Sequence, residues 1–296
     1  MYIVFCSNPF YPKQVDDEYK SEFEACKQYG FTTLLFSLEE LIETQKIKVY
    51  PSIHTESQAA MYRGWMLTVE EYTLLYKKLK EKNINLLTSP SEYANVHYFP
   101  NVYSQIEKYT PLTTWTSREH MHDENHILNQ AAVFGDSAII VKDYVKSRKH
   151  EWDTACYVPS ANDKEKVLDT VQNVIRLQGR ALNGGIMFRQ FVKLESIGTH
   201  EKSGMPLSKE FRIFYFNQQP VLTENYWEEI QYEQDQIPIS FFNEVAKRIP
   251  SPFFTMDIAR TVEKEWIIIE VGDGQVSGLP SYDLSHLFYE KLALEI

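Results

Sequence analysis

The sequence predicts a chain in which an α/β layer precedes a domain of α+β class. In its first hundred residues, short apolar strands alternate with amphipathic helices, which is typical of an α/β layer. Its second half places apolar and alternating strands close together, which indicates a helix-decorated antiparallel sheet. We expect a domain boundary near residue 108, because the pattern of predicted strands and helices changes near Thr110-Pro111.

The elements of the α/β layer follow from apolar spacing and from capping residues. Residues 2–6 form a short apolar run that is typical of a buried strand. Residues 16–29 place apolar side chains at helical spacing and end before Gly30, a favoured C-terminal cap. A second strand at 31–36 leads into Ser37, a favoured N-cap. The same criteria predict a helix at 68–82 and a strand at 84–87.

The elements of the second half are predicted in the same way. The patterns predict helices at 126–134, 163–177 and 241–249 and strands at 137–145, 186–192, 211–216, 221–222, 253–258 and 266–271. Gln218-Gln219-Pro220 is predicted to turn an antiparallel hairpin. We therefore expect domains at 1–108 and 109–296, the second divided into subdomains at 109–187 and 188–296.

The composition excludes several classes of protein. The chain has 296 residues, enough to bury a large core without disulfides, and its net charge of −11 argues against general binding to nucleic acid or to an anionic membrane. Cys6, Cys26 and Cys156 are widely spaced and form no CxxC pair, which favours a reducing, cytoplasmic location. No window approaches eighteen uninterrupted apolar residues, so we expect no membrane-spanning segment.

Three carboxylates near the C-terminus predict a metal site. Asp257 lies on one predicted strand, Glu270 ends the next, and Asp273 follows in a glycine-rich turn. Carboxylates brought together repel one another unless a hard cation lies among them, and Mg²⁺ is such a cation. The alternative is a surface hairpin with solvated acids. We favour the metal site because Ile267-Ile268-Ile269 runs directly into Glu270, and a charge at the end of a buried strand needs a partner.

Two basic segments predict sites for an anion. Lys142 emerges from a buried strand and therefore needs a negatively charged partner, for which phosphate is the economical candidate. Lys146 and Lys149 follow it, with Arg148 between them, and the alternative for these three is a solvated loop. On a later strand Glu210 and Arg212 point to one face, where Arg212 presents a fixed fork for an oxyanion or forms a structural pair with Glu210.

The order of these motifs resembles the ATP-grasp superfamily from about residue 110 to 285. The resemblance rests on a strand lysine, an apolar hinge strand, an E-x-R strand, and a strand bearing Asp that is followed by a strand ending in Glu. The segment 269–277, with Arg63-Gly64-Trp65 and Ser89 to Tyr93 in the preceding domain, is similar to a divergent branch. The KEFR and MDIA stretches are similar to eukaryotic cell-division-cycle ATP-grasp proteins, which assist assembly of a translation initiation factor.

The resemblance implies an ATP-grasp fold, with two α+β subdomains around a nucleotide cleft, after a small Rossmann-like domain. It implies a lid-side subdomain at 109–187 and a metal-site subdomain at 188–296. The residues implied to bind ATP and Mg²⁺ have separate roles. Lys142 is implied to contact the α/β-phosphates, with Lys146 and Lys149 in the lid, and Arg212 is implied to meet the γ-phosphate. The backbone of Gln190, Phe191 and Val192 is implied to bind adenine, and Glu210 to lie near the ribose or cation shell. Asp257, Glu270 and Asp273 are implied to hold Mg²⁺.

The sequence also departs from the pattern of the superfamily. Many members end the metal strand with Glu-x-Asn, whereas Gly272 occupies that third position here and Asp273 must substitute. Most members also close a glycine-rich loop over the phosphates, but no glycine occurs between Gly135 and Gly179. The departure concerns the lid mechanism rather than the nucleotide site.

Two functions are compatible with the sequence. The first is an ATP-dependent ligase that joins a carboxylate to an amine through an acylphosphate, on a small molecule, amino acid or peptide, with Lys142 and Arg212 as catalytic residues. The second is an ATP-binding assembly factor or modifier of a protein partner without ligase turnover, docking through the acidic aromatic loop around Trp227. Arg63 is a candidate anchor for a substrate carboxylate, and a purely structural role for it is equally compatible.

Overall fold

Fourteen strands and ten α-helices are defined in a computed structural model that describes residues 1–52, 57–199, 206–227, 232 and 237–296. The strands are β1 (Tyr2–Cys6), β2 (Thr32–Phe36), β3 (Gln58–Arg63), β4 (Ile84–Leu86), β5 (Thr113–Thr116), β6 (Ile139–Asp143), β7 (Tyr157–Val158), β8 (Ile186–Gln190), β9 (Ser196–Thr199), β10 (Pro206–Ser208), β11 (Glu210–Phe216), β12 (Gln219–Asn225), β13 (Phe253–Arg260) and β14 (Trp266–Asp273). The helices are α1 (Lys20–Gln28), α2 (Leu38–Thr44), α3 (Val69–Lys80), α4 (Pro90–His97), α5 (Phe99–Ile106), α6 (Glu124–Ala132), α7 (Trp152–Ala155), α8 (Lys164–Gln178), α9 (Ile239–Ala246) and α10 (Ser285–Leu294).

Helix starts are well explained by local capping chemistry. The Ser37 hydroxyl accepts the Glu40 N–H at the start of α2, as the sequence predicts. At the start of α3 the Thr68 hydroxyl accepts the Glu71 N–H, while the Glu71 carboxylate accepts the Thr68 N–H, which is a complete capping box. These reciprocal bonds satisfy backbone donors that the first helical turn would otherwise leave unpaired.

The hairpin of β11 and β12 turns earlier than the sequence predicts. β11 ends at Phe216 and β12 begins at Gln219, so Asn217 and Gln218 form the turn, with φ of 47° and 61°. Two consecutive residues with positive φ match the twist of an antiparallel hairpin, and asparagine tolerates that conformation. Pro220 is therefore part of β12 rather than of the turn, so the predicted position of the turn was wrong.

The described residues group into two compact units. The first comprises Met1–Val96, Phe211–Asp257 and Val271–Ile296, and the second comprises His97–Glu210 and Ile258–Glu270. These units combine separated segments, whereas the predicted domains at 1–108 and 109–296 follow the chain, and those limits stay a prediction.

The first unit is built on a parallel sheet in the order β2-β1-β3-β4. Alternate residues of β1 face opposite sides, so Val4 and Cys6 pack with the apolar stripe of α3, whereas Ile3 and Phe5 pack in a second cluster with Phe214 of β11. A sheet covered on both faces accounts for the almost continuous apolar character of its strands.

The second unit is built on an antiparallel sheet in the order β5-β8-β6-β7. One face, which includes Val141 and Phe188, packs in a cluster with the apolar side chains of α6 and α8. The helix-decorated antiparallel sheet that the sequence predicts is confirmed here. The opposite face carries Lys142 and Arg189.

Two further expectations concern the cysteines and the membrane. Cys6, Cys26 and Cys156 are all buried and none forms a disulfide. Within the described part of the chain, no helix combines the length and the apolarity that crossing a bilayer requires.

Candidate functional site

Strand pairing places Lys142 and Arg189 on the same face of the antiparallel sheet. Lys142 pairs with Met187 and Ile140 pairs with Arg189, so the side chains of these four residues share one side. The other side of β6 and β8 packs into the apolar cluster of this unit. The sheet therefore presents two cations on the face away from its core.

The anion that Lys142 needs is supplied by Glu270. Lys142 is only 8% exposed, and its Nζ lies 3.1 Å from the Glu270 Oε1. About a third of the Glu270 side chain is exposed, so solvent reaches this pair from the carboxylate side. The sequence predicted a phosphate partner for Lys142, and the structure shows a buried ammonium held in place by a carboxylate.

Asp143 organises the backbone of the loop that follows Lys142. Its Oδ1 accepts the N–H of Val145 at 2.7 Å and of Lys146 at 2.5 Å. Its Oδ2 accepts the N–H of Asn183 at 3.3 Å and the Gln178 amide at 3.0 Å. Burial raises the pKa of Asp143, and the backbone hydrogen bonds oppose that shift. Asp143 was not among the residues predicted from the sequence, although an Asp at the end of a strand is a recognised signal for a side chain that caps the next turn.

The basic loop itself lies at the surface. Lys146 and Lys149 are exposed, and Arg148 forms an ion pair with Glu151 at 2.6 Å. The contact of Arg148 fits the alternative of a solvated loop. Roles for Lys146 and Lys149 in binding phosphate stay predictions.

Arg189 is a buried cation that was not among the residues predicted from the sequence. One of its terminal nitrogens donates to the Thr110 hydroxyl at 2.6 Å and to the Ile268 carbonyl at 2.9 Å. Its guanidinium lies 4.7 Å from the centre of the Phe99 ring. Burial lowers its pKa to about 10, and the charge of Glu270 opposes that shift. Its alternation with Met187 on a strand paired to that of Lys142 is the signal that could have identified it.

His97, at the end of α4, adds a neutral group near these charges. It is 3% exposed, and burial lowers its pKa to about 4, with the positive charge of Lys146 acting in the same direction and Glu270 opposing it. The imidazole is therefore uncharged at neutral pH.

The predicted adenine segment lies at the end of β8. The Gln190 N–H donates to Leu112 and the Phe191 N–H donates to Ala138, both at 2.9 Å. The Phe191 ring packs edge-on against Tyr157, 5.1 Å between ring centres, and Tyr157 is stacked with Trp152. These contacts fix the backbone that leads into Val192, the third residue of the predicted segment.

In the first unit, Arg212 forms a bidentate pair with Asp257. Nε and one terminal nitrogen donate to the two carboxylate oxygens at 2.8 and 2.7 Å. The other terminal nitrogen donates to the Gly278 carbonyl at 2.9 Å, and the guanidinium lies 4.9 Å from the centre of the Tyr226 ring. Arg212 is thus held in one orientation by these contacts, and its role in recognising an oxyanion stays a prediction. Glu210 is buried at the start of β11.

Asp273 is buried within the first unit. It is 1% exposed, and its Oδ1 accepts the backbone and side-chain N–H groups of Gln275 at 2.9 and 3.1 Å. Gln275 also donates to the Tyr72 hydroxyl at 3.0 Å. Burial raises the pKa of Asp273 to about 7, and the hydrogen bonds from Gln275 oppose the shift. Among the described residues, its Oδ2 has no hydrogen-bond partner.

The predicted metal ligands are compatible with Mg²⁺ in their donor chemistry. Within the described ranges, no group of three or more His, Cys, Asp or Glu side chains is arranged to hold a metal ion. Mg²⁺ is commonly held by only one or two carboxylates together with substrate phosphates. Asp257 and Glu270 supply such hard oxygen donors, each now paired with a cation. The full set of Asp257, Glu270 and Asp273 stays a prediction.

Arg63 is completely buried in the first unit. Its guanidinium donates to both oxygens of Glu22, at 2.8 and 2.6 Å, and to the carbonyls of Gly274 and Ser277. A guanidinium surrounded in this way fits the structural interpretation of Arg63 rather than that of an anchor for a substrate.

The predicted docking loop around Trp227 falls partly outside the described residues. Its acidic residues Glu228, Glu229, Glu233 and Asp235 lie outside the residues that the structure describes. Docking of a protein partner through this loop stays a prediction.

The sequence matches one protein-family model over more than half of its length. Residues 133–292 match the ATP-grasp domain, R-2-K clade family 3. No protein of curated function matches the sequence.

Solved structures of ATP-grasp proteins share the fold of the chain. A RimK-domain ATP-grasp protein from Sphaerobacter thermophilus DSM 20745 has a TM-score of 0.62 at 12% identity, covering 98% of this chain and 99% of that one. D-cycloserine synthetase DcsG has a TM-score of 0.59 at 14% identity, covering 100% and 99%. The ATP-grasp ligase PsnB, in complex with a minimal precursor, has a TM-score of 0.59 at 14% identity, covering 99% of both chains.

A cell-division-cycle ATP-grasp protein is also among the matches. Cdc123 from Schizosaccharomyces pombe has a TM-score of 0.44 at 14% identity, covering 62% of this chain and 85% of that one. At these identities the likenesses show the fold, and the likeness to Cdc123 is too weak to support an argument about function.

The strand lysine, the E-x-R strand and the strands bearing Asp257 and Glu270 stand in the order of the resemblance, within a fold shared with ATP-grasp structures. Because the family model matches more than half of its residues, the chain belongs to the family of ATP-grasp domains designated R-2-K clade family 3.

Proposed function

We propose that the protein is an ATP- and Mg²⁺-dependent carboxylate–amine ligase that acts on a small molecule, amino acid or peptide. The observation that carries the proposal is a pair of immobilised cations: Lys142 is held by Glu270, and Arg212 is held by Asp257, in a chain of ATP-grasp family. Among the proteins that share the fold, one is named as a D-cycloserine synthetase and another as a ligase bound to a precursor.

Immobilised cations suit phosphoryl transfer because that reaction depends on positioning and on neutralising charge. An arginine with its fork fixed by a bidentate carboxylate can meet a phosphoryl oxygen without reorganising. A buried lysine at the end of a strand provides a second fixed positive charge. We assign Arg212 to the γ-phosphate and Lys142 to the α/β-phosphates, with both acting in catalysis.

The remaining predicted residues bind the rest of the nucleotide. In this proposal the backbone of Gln190, Phe191 and Val192 binds adenine, and Glu210 lies near the ribose or the cation shell. Lys146 and Lys149 approach the phosphates from the loop that Asp143 organises. The hydrogen bonds of Asp143 support this assignment, because they hold the Lys146 backbone in one conformation.

The proposed reaction has two balanced steps. A substrate carboxylate oxygen attacks the γ-phosphorus of ATP, the bond from that phosphorus to the β,γ-bridging oxygen breaks, and ADP leaves with the electron pair. The amine nitrogen then attacks the acyl carbon of the acylphosphate, phosphate leaves, and the amine proton passes to solvent. Mg²⁺ held by Asp257, Glu270 and Asp273 would neutralise phosphate charge. The oxygen donors of Asp257 and Glu270 support that part of the proposal.

The test is ADP release by the full chain with ATP, Mg²⁺ and mixtures of amino acids or peptides. Glu270→Gln and Asp257→Asn should each reduce turnover by about a hundredfold or more, which is the usual cost of one positioned charge. Glu263→Gln makes the same acid-to-amide change at an exposed site between β13 and β14 and should leave turnover unchanged. Parental rates in both site variants would refute the metal and phosphate assignments.

A second measurement separates the ligase from the assembly factor. Calorimetric titration with ATP should show affinity that depends on Mg²⁺, and equal affinity with and without Mg²⁺ would contradict the proposed ligand set. Tight ATP binding without turnover in any substrate mixture would favour an assembly factor.

We also propose a cytoplasmic location, supported by three buried cysteines that form no disulfide.

A further inference from the structure

One loop of the first unit is held by two arginines from distant parts of the sequence. Arg63 donates to the carbonyls of Gly274 and Ser277, the latter at 2.9 Å. Arg212 donates to the next carbonyl, that of Gly278, also at 2.9 Å. The two guanidinium groups therefore share residues 274–278 as a common support.

Arg63 is itself rigidly anchored. Both Glu22 oxygens accept from it, and the Tyr289 hydroxyl donates to Glu22 Oε2 at 3.0 Å. The Arg63 and Glu22 side chains are 1% and 8% exposed, so solvent cannot replace these contacts. A buried pair that is fully hydrogen-bonded has one geometry, and its cost in desolvation is recovered only in that geometry.

Backbone N–H groups at and just after the end of β3 also form hydrogen bonds to this loop. The Gly64 N–H donates to the Gln275 carbonyl at 3.2 Å, and the Tyr62 N–H donates to the Gln275 side-chain oxygen at 3.2 Å. The last two residues of β3 and the glycine that follows them thus bond to the loop that follows β14.

From these contacts we infer that Arg63 is a positioning residue for Arg212 and that it acts through the carbonyls of Ser277 and Gly278. The inference rests on the proposed function, in which Arg212 meets the γ-phosphate. Arg63 fixes the position of the loop through the Ser277 carbonyl. The Gly278 carbonyl of the loop then fixes one terminal nitrogen of Arg212, and Asp257 fixes its Nε and its other terminal nitrogen. Lysine cannot replace Arg63, because it lacks the planar fork that reaches a carboxylate and two carbonyls at once.

The first test measures hydrogen exchange in residues 274–278. Arg63→Lys should speed backbone exchange in this loop by about tenfold, which corresponds to the loss of one charge-assisted hydrogen bond. Val245→Ala removes buried apolar atoms from α9 of the same unit and serves as the control for a general loss of stability. Exchange in 274–278 that is unchanged in Arg63→Lys, or that rises equally in Val245→Ala, would overturn the inference.

The second test is a double-mutant cycle on ATP affinity. Arg63→Lys should weaken ATP binding several-fold in the parental chain and by less than about twofold in an Arg212→Lys background, because coupled residues are not additive. Fully additive losses would overturn the inference. If Arg212→Lys alone leaves ATP affinity unchanged, the proposed role of Arg212 fails, whereas the exchange experiment still decides whether Arg63 orders the loop.

Discussion

Replacing Asp273 with asparagine should change how the stability of the protein depends on pH. Asp273 is 1% exposed, and burial raises its pKa from 3.8 to about 7. The folded protein therefore holds this proton more tightly than the unfolded chain does. The stabilisation from the protonated carboxyl is complete below pH 3.8 and is lost as the pH rises to about 7.

The size of the effect follows from the difference between the two pKa values. It corresponds to about 4 kcal/mol in total and to about 3 kcal/mol between pH 5 and pH 8. An asparagine at this position would not titrate, and its oxygen could still accept the two N–H groups of Gln275. The variant should therefore gain stability relative to the parental protein as the pH increases.

The assay is urea unfolding of both proteins at pH 5 and pH 8, with a chelator present so that no cation contributes. Asp283→Asn makes the same change at an exposed position of the first unit and controls for the loss of one negative charge. A difference in unfolding free energy between Asp273→Asn and the parental protein that does not grow with pH would refute the reasoning.

Three other substitutions test the contacts described above. Lys142→Met removes a buried positive charge and should weaken ATP binding about tenfold or more in calorimetric titration. Circular dichroism should show an intact fold, and parental affinity for ATP would count against the assignment of Lys142 to the phosphates. Gly64→Ala would bring a Cβ into the buried ring of Tyr62, so we expect a loss of about 1–3 kcal/mol in urea unfolding, and unchanged stability would contradict the packing. Arg189→Met should cost about 1–3 kcal/mol because the Thr110 hydroxyl loses the donor that it accepts from and the Ile268 carbonyl keeps only the Thr110 hydroxyl as a donor, and a melting temperature equal to that of the parental protein would argue against it.

Much of the fold could be predicted from sequence because its signals are local. The helix cap at Ser37 depends on residues a few positions apart, and the apolar runs of β1 and β6 show where strands are buried. Where the signal depended on precise backbone conformation, prediction was less accurate. The turn at Asn217-Gln218 was placed too late in the sequence, because positive φ at consecutive positions is not visible in composition.

Strands without a strong apolar pattern were not predicted. β3 begins with a polar residue and two alanines, yet it is a central strand because β1 and β4 pair on either side of it. Its burial comes from neighbours that are distant in sequence, so no window of the sequence contains the cause.

The amino-acid sequence by itself determined the type of each candidate residue and its association with an apolar strand, as for Lys142 and Glu270, but the prediction that Glu270 ends its strand was wrong, because β14 continues to Asp273. Only the tertiary structure decided which charges meet: Lys142 with Glu270 across 128 positions and Arg63 with Glu22 across 41. The physical reason is that apolar periodicity acts over a few residues, whereas the partner of a buried charge is chosen by strand pairing and desolvation, which join distant parts of the chain.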